Sequence, residues 1–251
     1  NPMAWTPGTK TAPGWYDMPW GAQGSLSSDG SVDPTSGRES LLGSYTGQIL
    51  LPNMYPSDKP HTRKDPVTKK PLPFQNHSVA YYNDVAAYQL GKIWKNPHRP
   101  DTSQLVFPEG SVIVKVEGVT LTEAEWPGVL TGSPVSYVYR PPVNSPPKTP
   151  PEVTPLRFLQ LAVKIKDSKA SPETGWVFVA FTYDAQQPGQ NAWRKTIPVG
   201  AMWGNDPQLA KSETVTTYQQ LKQTWVNEYW TKDKNGKPIQ NFVTDSLGWG
   251  D

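Results

Sequence analysis

The sequence predicts a mainly β protein: a single antiparallel-sheet domain with a few peripheral helices and long proline-rich loops. Three observations carry this expectation. Period-two hydrophobic alternation runs through residues 112–117 and again through 156–166. The 28 Pro and 20 Gly interrupt the chain too often for a helical bundle. The 11 Trp, 11 Tyr and 6 Phe supply the core-forming surface that disordered chains lack. At 251 residues the chain can bury a sizeable core, and no proline-rich stretch separates two independent ones. A single body over 41–251 is expected. Residues 1–40 read as an irregular arm packed on it through Trp5, Trp15, Tyr16 and Trp20.

The elements follow in order. Six prolines make 52–75 an extended loop. Asn83 can cap a short helix over 84–94, which Asn96 and Pro97 end. In the next strand Val112, Val114 and Val116 face one way, and Ile113, Lys115 and Glu117 the other. Seven prolines make 141–155 a spacer barred from a sheet interior. Leu159, Leu161, Val163 and Ile165 form the apolar side of a strand over 156–166. A turn with Pro172 and Gly175 joins it to 176–183, which is apolar on both faces and therefore a central strand. Tyr218, Leu221, Trp225 and Tyr229 fall at helical spacing behind Ser212, predicting a last helix, and Asn235-Gly236 centres a polar turn.

Composition excludes several functions. A net charge of +2 gives no footing for nucleic acid, and the run Arg63, Lys64, Lys69, Lys70 is broken by Asp65 and prolines, as in a solvated loop. No apolar run is long enough to span a membrane. The absence of cysteine excludes disulfides, thiolate metal sites and cysteine nucleophiles. His61, His77 and His98 are scattered through polar or proline-bearing stretches, so no histidine metal site is expected. Asp29 to Asp33 resembles half a calcium loop without the remaining spacing. There is no G-x-S-x-G elbow, and Glu123 and Glu125 lack a catalytic partner, so no catalytic residue is assigned. Asn76-His77-Ser78 is a glycosylation sequon by pattern. The start at Asn1-Pro-Met shows no signal peptide, as expected of a chain that begins after processing.

Two stretches carry a resemblance. Phe107-Pro-Glu-Gly-Ser-Val-Ile-Val-Lys115 is the first; the second runs from Val163-Lys-Ile-Lys-Asp167 to Pro172-Glu-Thr-Gly-Trp176-Val-Phe178-Val-Ala-Phe181. Together they resemble the core of the lysine-crosslinked, hydroxylamine-oxidising cytochromes and the related beta-type cytochromes c-prime, exported bacterial haem proteins. Trp203-Gly-Asn-Asp-Pro207, Trp225-Val-Asn227 and Gly248-Trp-Gly250 resemble further exported proteins of the cytochrome c family, so the likeness covers roughly residues 79–250. It implies a periplasmic or secreted protein, with Lys115 in the place of the haem-crosslinked lysine. The family's C-x-x-C-H is missing and no histidine follows His98. Haem, if held, is held without cysteine thioethers.

The resemblance implies a haem or small-ligand site on the sheet face bearing Lys115, walled by Phe158, Trp176, Phe178 and Phe181. Trp225 and the segment Leu247 to Trp249 are expected to close over it. A different reading takes the tryptophans expected in loops, Trp5, Trp15, Trp20, Trp126, Trp193 and Trp249, as stacking surfaces for a glycan or polymer. The sequence sets neither the ligand nor the oligomeric state. Because thioether attachment requires thiols, the denatured purified protein is expected to show the mass of the unmodified polypeptide. A mass raised by one haem would show attachment by another route, and peptide mapping would then test Lys115.

Overall fold

The computed structural model describes residues 14–16, 45–50, 62–70, 72, 74–96, 99–140, 146, 149–150, 152–207 and 220–230. Among these, eight strands form one sheet in which every neighbouring pair is antiparallel. They are β1 (Tyr45–Leu50), β2 (Phe74–Tyr82), β3 (Val112–Val119), β4 (Val135–Arg140), β5 (Glu152–Lys166), β6 (Trp176–Tyr183), β7 (Thr196–Met202) and β8 (Thr224–Val226). The order across the sheet is β1-β2-β3-β5-β6-β7-β8, and β4 pairs with the first part of β5. The mainly β, single-sheet expectation holds.

The three strands marked by the alternation and by the resemblance are neighbours. Residues 112–119 of β3 pair with 157–165 of β5, and 160–166 of β5 pair with 176–182 of β6. The β5–β6 turn contains Gly175 at φ +71, where an added Cβ would also meet the Lys166 ammonium. β6 lies between β5 and β7, as its two apolar faces require.

β5 begins earlier than the prolines suggest, at Glu152. Pro155 sits opposite Tyr137 of β4 in a stretch bonded along one edge only, where a missing N–H is tolerated. The alternation in β5 is also interrupted. Glu117 faces Gln160 while Gly118 faces Phe158, so Leu159 is an inserted bulge residue. Leu159 turns into the core with Phe74, Val119, Leu121, Trp126 and Leu130, all buried. The Phe74 and Trp126 rings pack at 5.8 Å, and Trp126 leads the short helix α2 (Pro127–Leu130). Trp126 is therefore core, not an exposed stacking surface.

Helix α1 (Asp84–Ile93) forms where expected. The Asn83 side chain accepts from Ala86 N at 3.0 Å and from Val112 N at 3.0 Å, and donates to Gly110 O at 2.9 Å. One residue thus caps the helix and ties its start to β3. Buried Ala86, Ala87 and Ile93 seat the helix on the sheet end.

Ion pairs and buried carboxylates fasten the irregular segments. Arg63 is not solvated loop: its guanidinium grips both oxygens of Glu125 at 2.7 and 2.9 Å and donates to Thr120 O at 2.5 Å. Glu123 pairs with Arg157. Of the N-terminal arm, Tyr16 exchanges both backbone bonds with Tyr82 at 2.9 and 2.8 Å, while the Trp15 ring is exposed. Trp5, Trp20, Asp29, His61, His98, Tyr218, Asn235 and Leu247 to Gly250 lie outside the described residues.

The expected last helix is absent from the described part of that segment: 224–226 is strand β8 and Glu228–Trp230 a single 3-10 turn. Four apolar positions at helical spacing were outweighed by a free sheet edge. β7 offers unpaired backbone groups, and Thr224-Trp225-Val226, rich in β-favouring residues, satisfies them. The junction is held by fully buried Asp206, whose carboxylate accepts from Lys222 N at 2.6 Å and Gln223 N at 2.9 Å. Asp206→Ala strips these charge-assisted bonds from buried donors, so urea denaturation should show a loss of about 2–4 kcal/mol. An unchanged midpoint would mean that the carboxylate does not hold β8 in place.

Candidate functional site

Residues directly opposed in an antiparallel pair share a face, and their chain neighbours point to the other. Lys115 stands opposite Ala80 of β2 and Ala162 of β5. Ala162 stands opposite Ala180, and Ala180 opposite Gly200. Lys115 is therefore the one long side chain in a row of small residues crossing five strands. The next row on one side is Ser78, Glu117, Gln160 and Thr182. On the other side it is Tyr82, Ile113, Lys164, Phe178 and Met202, with Lys166 and Trp176 beyond. A low floor between two taller rows makes a trough. Val226, Val199 and Trp230 pack at Ala180 and close its β8 end.

The far side of the trough is polar and buried. The Lys115 ammonium lies 2.7 Å from Glu117 Oε1, and Asn76 Nδ2 donates to Glu117 Oε2 at 2.9 Å. Lys115 reaches this partner with its side chain about one-third exposed. Asn76, Ser78 and Glu117 are only 9%, 2% and 9% exposed. Asn76 Oδ1 and Ser78 Oγ nonetheless have no hydrogen-bond partner among the described residues. Each such orphan costs about 1–3 kcal/mol if left dry, which makes this corner of the trough a place that favours an incoming polar group. At the opposite wall, the Lys164 ammonium lies 5.5 Å from the Phe178 ring and that of Lys166 5.9 Å from Trp176. Phe107 braces Trp176 edge-on at 5.5 Å.

The six residues assigned to a single site do not share one. Lys115, Trp176 and Phe178 lie on the trough face. Phe181, one residue on from Ala180, and Trp225, opposite Ala201 and so in line with Val179, lie on the other face. Phe158 is there too, because the Leu159 bulge flips it: opposite Gly118, it is out of step with Lys115. In G-x-W-x-F-x-x-F the first two aromatics are two apart and the last is three further on, so a strand must separate them. Trp176, Phe178 and Phe181 are half-buried, not buried as their apolar setting suggested. Trp225 is 47% exposed on an edge strand, so it does not plug the trough. The second face is apolar, with Val114, Val116, Leu161, Val163, Val177 and Val179 all half-buried. There Phe158 joins Tyr183 at 6.3 Å and the exposed Trp193 at 6.4 Å.

The residues missed were Asn76 and Ser78. They sit within β2, in the polar stretch around His77 that directly follows the expected 52–75 loop. The available signal is Phe74 and the run Val79 to Tyr82, which bracket the four polar residues and frame one strand. His77, expected in a loop, is a buried strand residue. Among the described residues no group of three or more His, Asp or Glu could hold a metal ion, and no helix is long and apolar enough to cross a membrane. The chain matches no protein-family model, no curated protein and no solved structure with which it was compared.

The end of the trough is itself anchored. Tyr229, stacked edge-on with Trp230 at 4.9 Å, donates its hydroxyl to Asp184 Oδ2 at 2.5 Å. Burial, then the hydrogen bond to Asp184 and its negative charge, push the phenol from 10.0 up to about 12. The folded chain therefore holds this proton more tightly than the unfolded chain. The stability involved is present below pH 10 and is lost as pH rises through 12. A tyrosinate absorbance titration should show a late step near pH 12 that Tyr229→Phe removes. A late step of undiminished size in the variant would mean that Asp184 does not hold this phenol, since any remainder belongs to Tyr183, which burial also raises.

Proposed function

We propose that this chain is a binding module that takes a hydroxyl-bearing organic ligand, without covalent attachment, in the trough beside Lys115. The observation that carries the reading is the pair of buried oxygens, Asn76 Oδ1 and Ser78 Oγ, without partners among the described residues, next to the Glu117–Lys115 ion pair. Asn76 Oδ1 accepts, Ser78 Oγ does either, Glu117 accepts and Lys115 donates. A hydroxyl both donates and accepts, so a polyhydroxylated ring answers all four. The Phe178 ring on the far wall supplies an apolar surface for its C–H face. Binding is favoured over turnover because Lys115 and Glu117 neutralise each other at 2.7 Å, which suits neither for attack nor for proton abstraction.

A second reading, haem held without thioethers, is favoured by one observation. The stretches that resemble the crosslinked cytochromes form three adjacent strands, β3, β5 and β6, with Lys115 on an open row of alanines. Both readings suit the periplasmic or secreted location that the resemblance implies.

Titration with neutral oligosaccharides, followed by methyl NMR, separates them. The Ala80, Ala162 and Ala180 signals should move, and Glu117→Gln should weaken binding about tenfold. If haemin instead binds with a Soret shift that Lys115→Ala abolishes, the haem reading replaces the first. If neither ligand moves those methyls, the trough is not a binding site.

A further inference from the structure

Among the described residues, the charges on the trough face are not balanced. Lys115, Lys164 and Lys166 all lie on it, since Lys164 and Lys166 follow Ala162 by two and four residues. Lys115 has Glu117. Lys166 has Glu109 nearby, a carboxylate fixed by Ser168 N at 3.0 Å and Ser168 Oγ at 2.5 Å. Lys164 is exposed, diagonal to Lys115, and has no carboxylate partner among the described residues. Like charges at diagonal positions, about 7–8 Å apart, oppose each other unless an anion lies between them. The Phe178 ring under the Lys164 ammonium keeps that charge at the wall of the trough.

The length of the trough adds a second constraint. Lys164 is in line with Ile113, and Ser78 with Glu117, four residues along β3 and two strands across. At about 3.4 Å per residue and about 4.8 Å per strand, the cationic end and the polar end lie roughly 17 Å apart. One sugar ring does not reach both.

Resting on the reading that the trough binds a hydroxylated ligand, we infer that its ligand is an acidic oligosaccharide. Its hydroxyls meet Asn76, Ser78 and Glu117, and a ring carboxylate lies between Lys115 and Lys164. The row of small residues supplies only the floor. The orphaned buried oxygens at one end and the unbalanced cation at the other supply the chemistry.

Calorimetry with a galacturonic acid trimer and a neutral galactose trimer of the same linkage tests this on the full chain. The acidic trimer should bind about tenfold more tightly. Its affinity should fall as salt is raised. Lys164→Gln, at an exposed position where folding is not at stake, should erase the preference, and Lys164→Glu should reverse it. Equal binding of the two trimers, or a preference that survives Lys164→Gln, overturns the acidic assignment while leaving a neutral hydroxylated ligand standing. Monomeric galacturonic acid binding as tightly as the trimer overturns the extended ligand. If neither trimer binds and the Ala162 methyl stays unmoved, the trough reading falls and this inference with it.

Discussion

The backbone pairing of β5 is the constraint on which the rest depends. This one strand of 15 residues pairs with β3, β4 and β6. A strand fixes the face of every side chain by parity, so its register decides which residues of five strands meet. The single bulge at Leu159 shows how strong that control is. It sends Leu159 into the core with Phe74 and Trp126 and carries Phe158 to the opposite face from Lys115. Without the extra residue, Phe158 would stand beside the trough and the core would lose a buried leucine, a loss typically worth about 2–5 kcal/mol.

Around this sheet the chain is rich in proline and turns, and its described loops are held by directed polar contacts more than by burial. Arg63 with Glu125, Arg157 with Glu123, Asp206 with the backbone of Lys222 and Gln223, and Asp184 with Tyr229 each join segments far apart in sequence. Glu125 illustrates the balance. Burial alone would push its carboxyl up, but the Arg63 guanidinium and the Thr122 N–H and hydroxyl outweigh that, and it ends lowered. Its contribution is therefore present above the ordinary carboxylate range and fades as pH falls through the lowered value. Such contacts stabilise modestly while fixing geometry, and that of Asp184 with Tyr229 anchors the end of the trough.

The two faces of the sheet have different chemistry because polar and apolar residues alternate in β3 and in the last turns of β5. One face is aliphatic and half-buried; the other places the Lys115–Glu117 pair and Asn76 among alanines. A charged pair at the edge of a dry core is costly to desolvate, and it is kept here with a further hydrogen bond from Asn76. The same arrangement leaves two buried oxygens, Asn76 Oδ1 and Ser78 Oγ, without a hydrogen-bond partner among the described residues, beside the charged pair.

The sequence by itself determined the mainly β class, the hairpin of 156–166 with 176–183, the capped helix after Asn83 and the lack of any thiol among its residues. Each rests on local periodicity, a local cap or a missing atom type, and none needs long-range knowledge. It also placed Lys115 and Glu117 on one side of a strand, which is half of the candidate site. Tertiary structure alone decided the rest. A bulge shifts parity without leaving a mark in the alternation, so Phe158 was assigned to the wrong face. An unpaired edge on β7 drew residues 224–226 into a strand against their helical spacing, leaving Trp225 exposed. Asn76 and Ser78 joined Glu117 only because β2 pairs with β3 across 41 and 39 positions of sequence. Which distant polar residues share one buried corner is set by strand register, and register is a property of the assembled sheet.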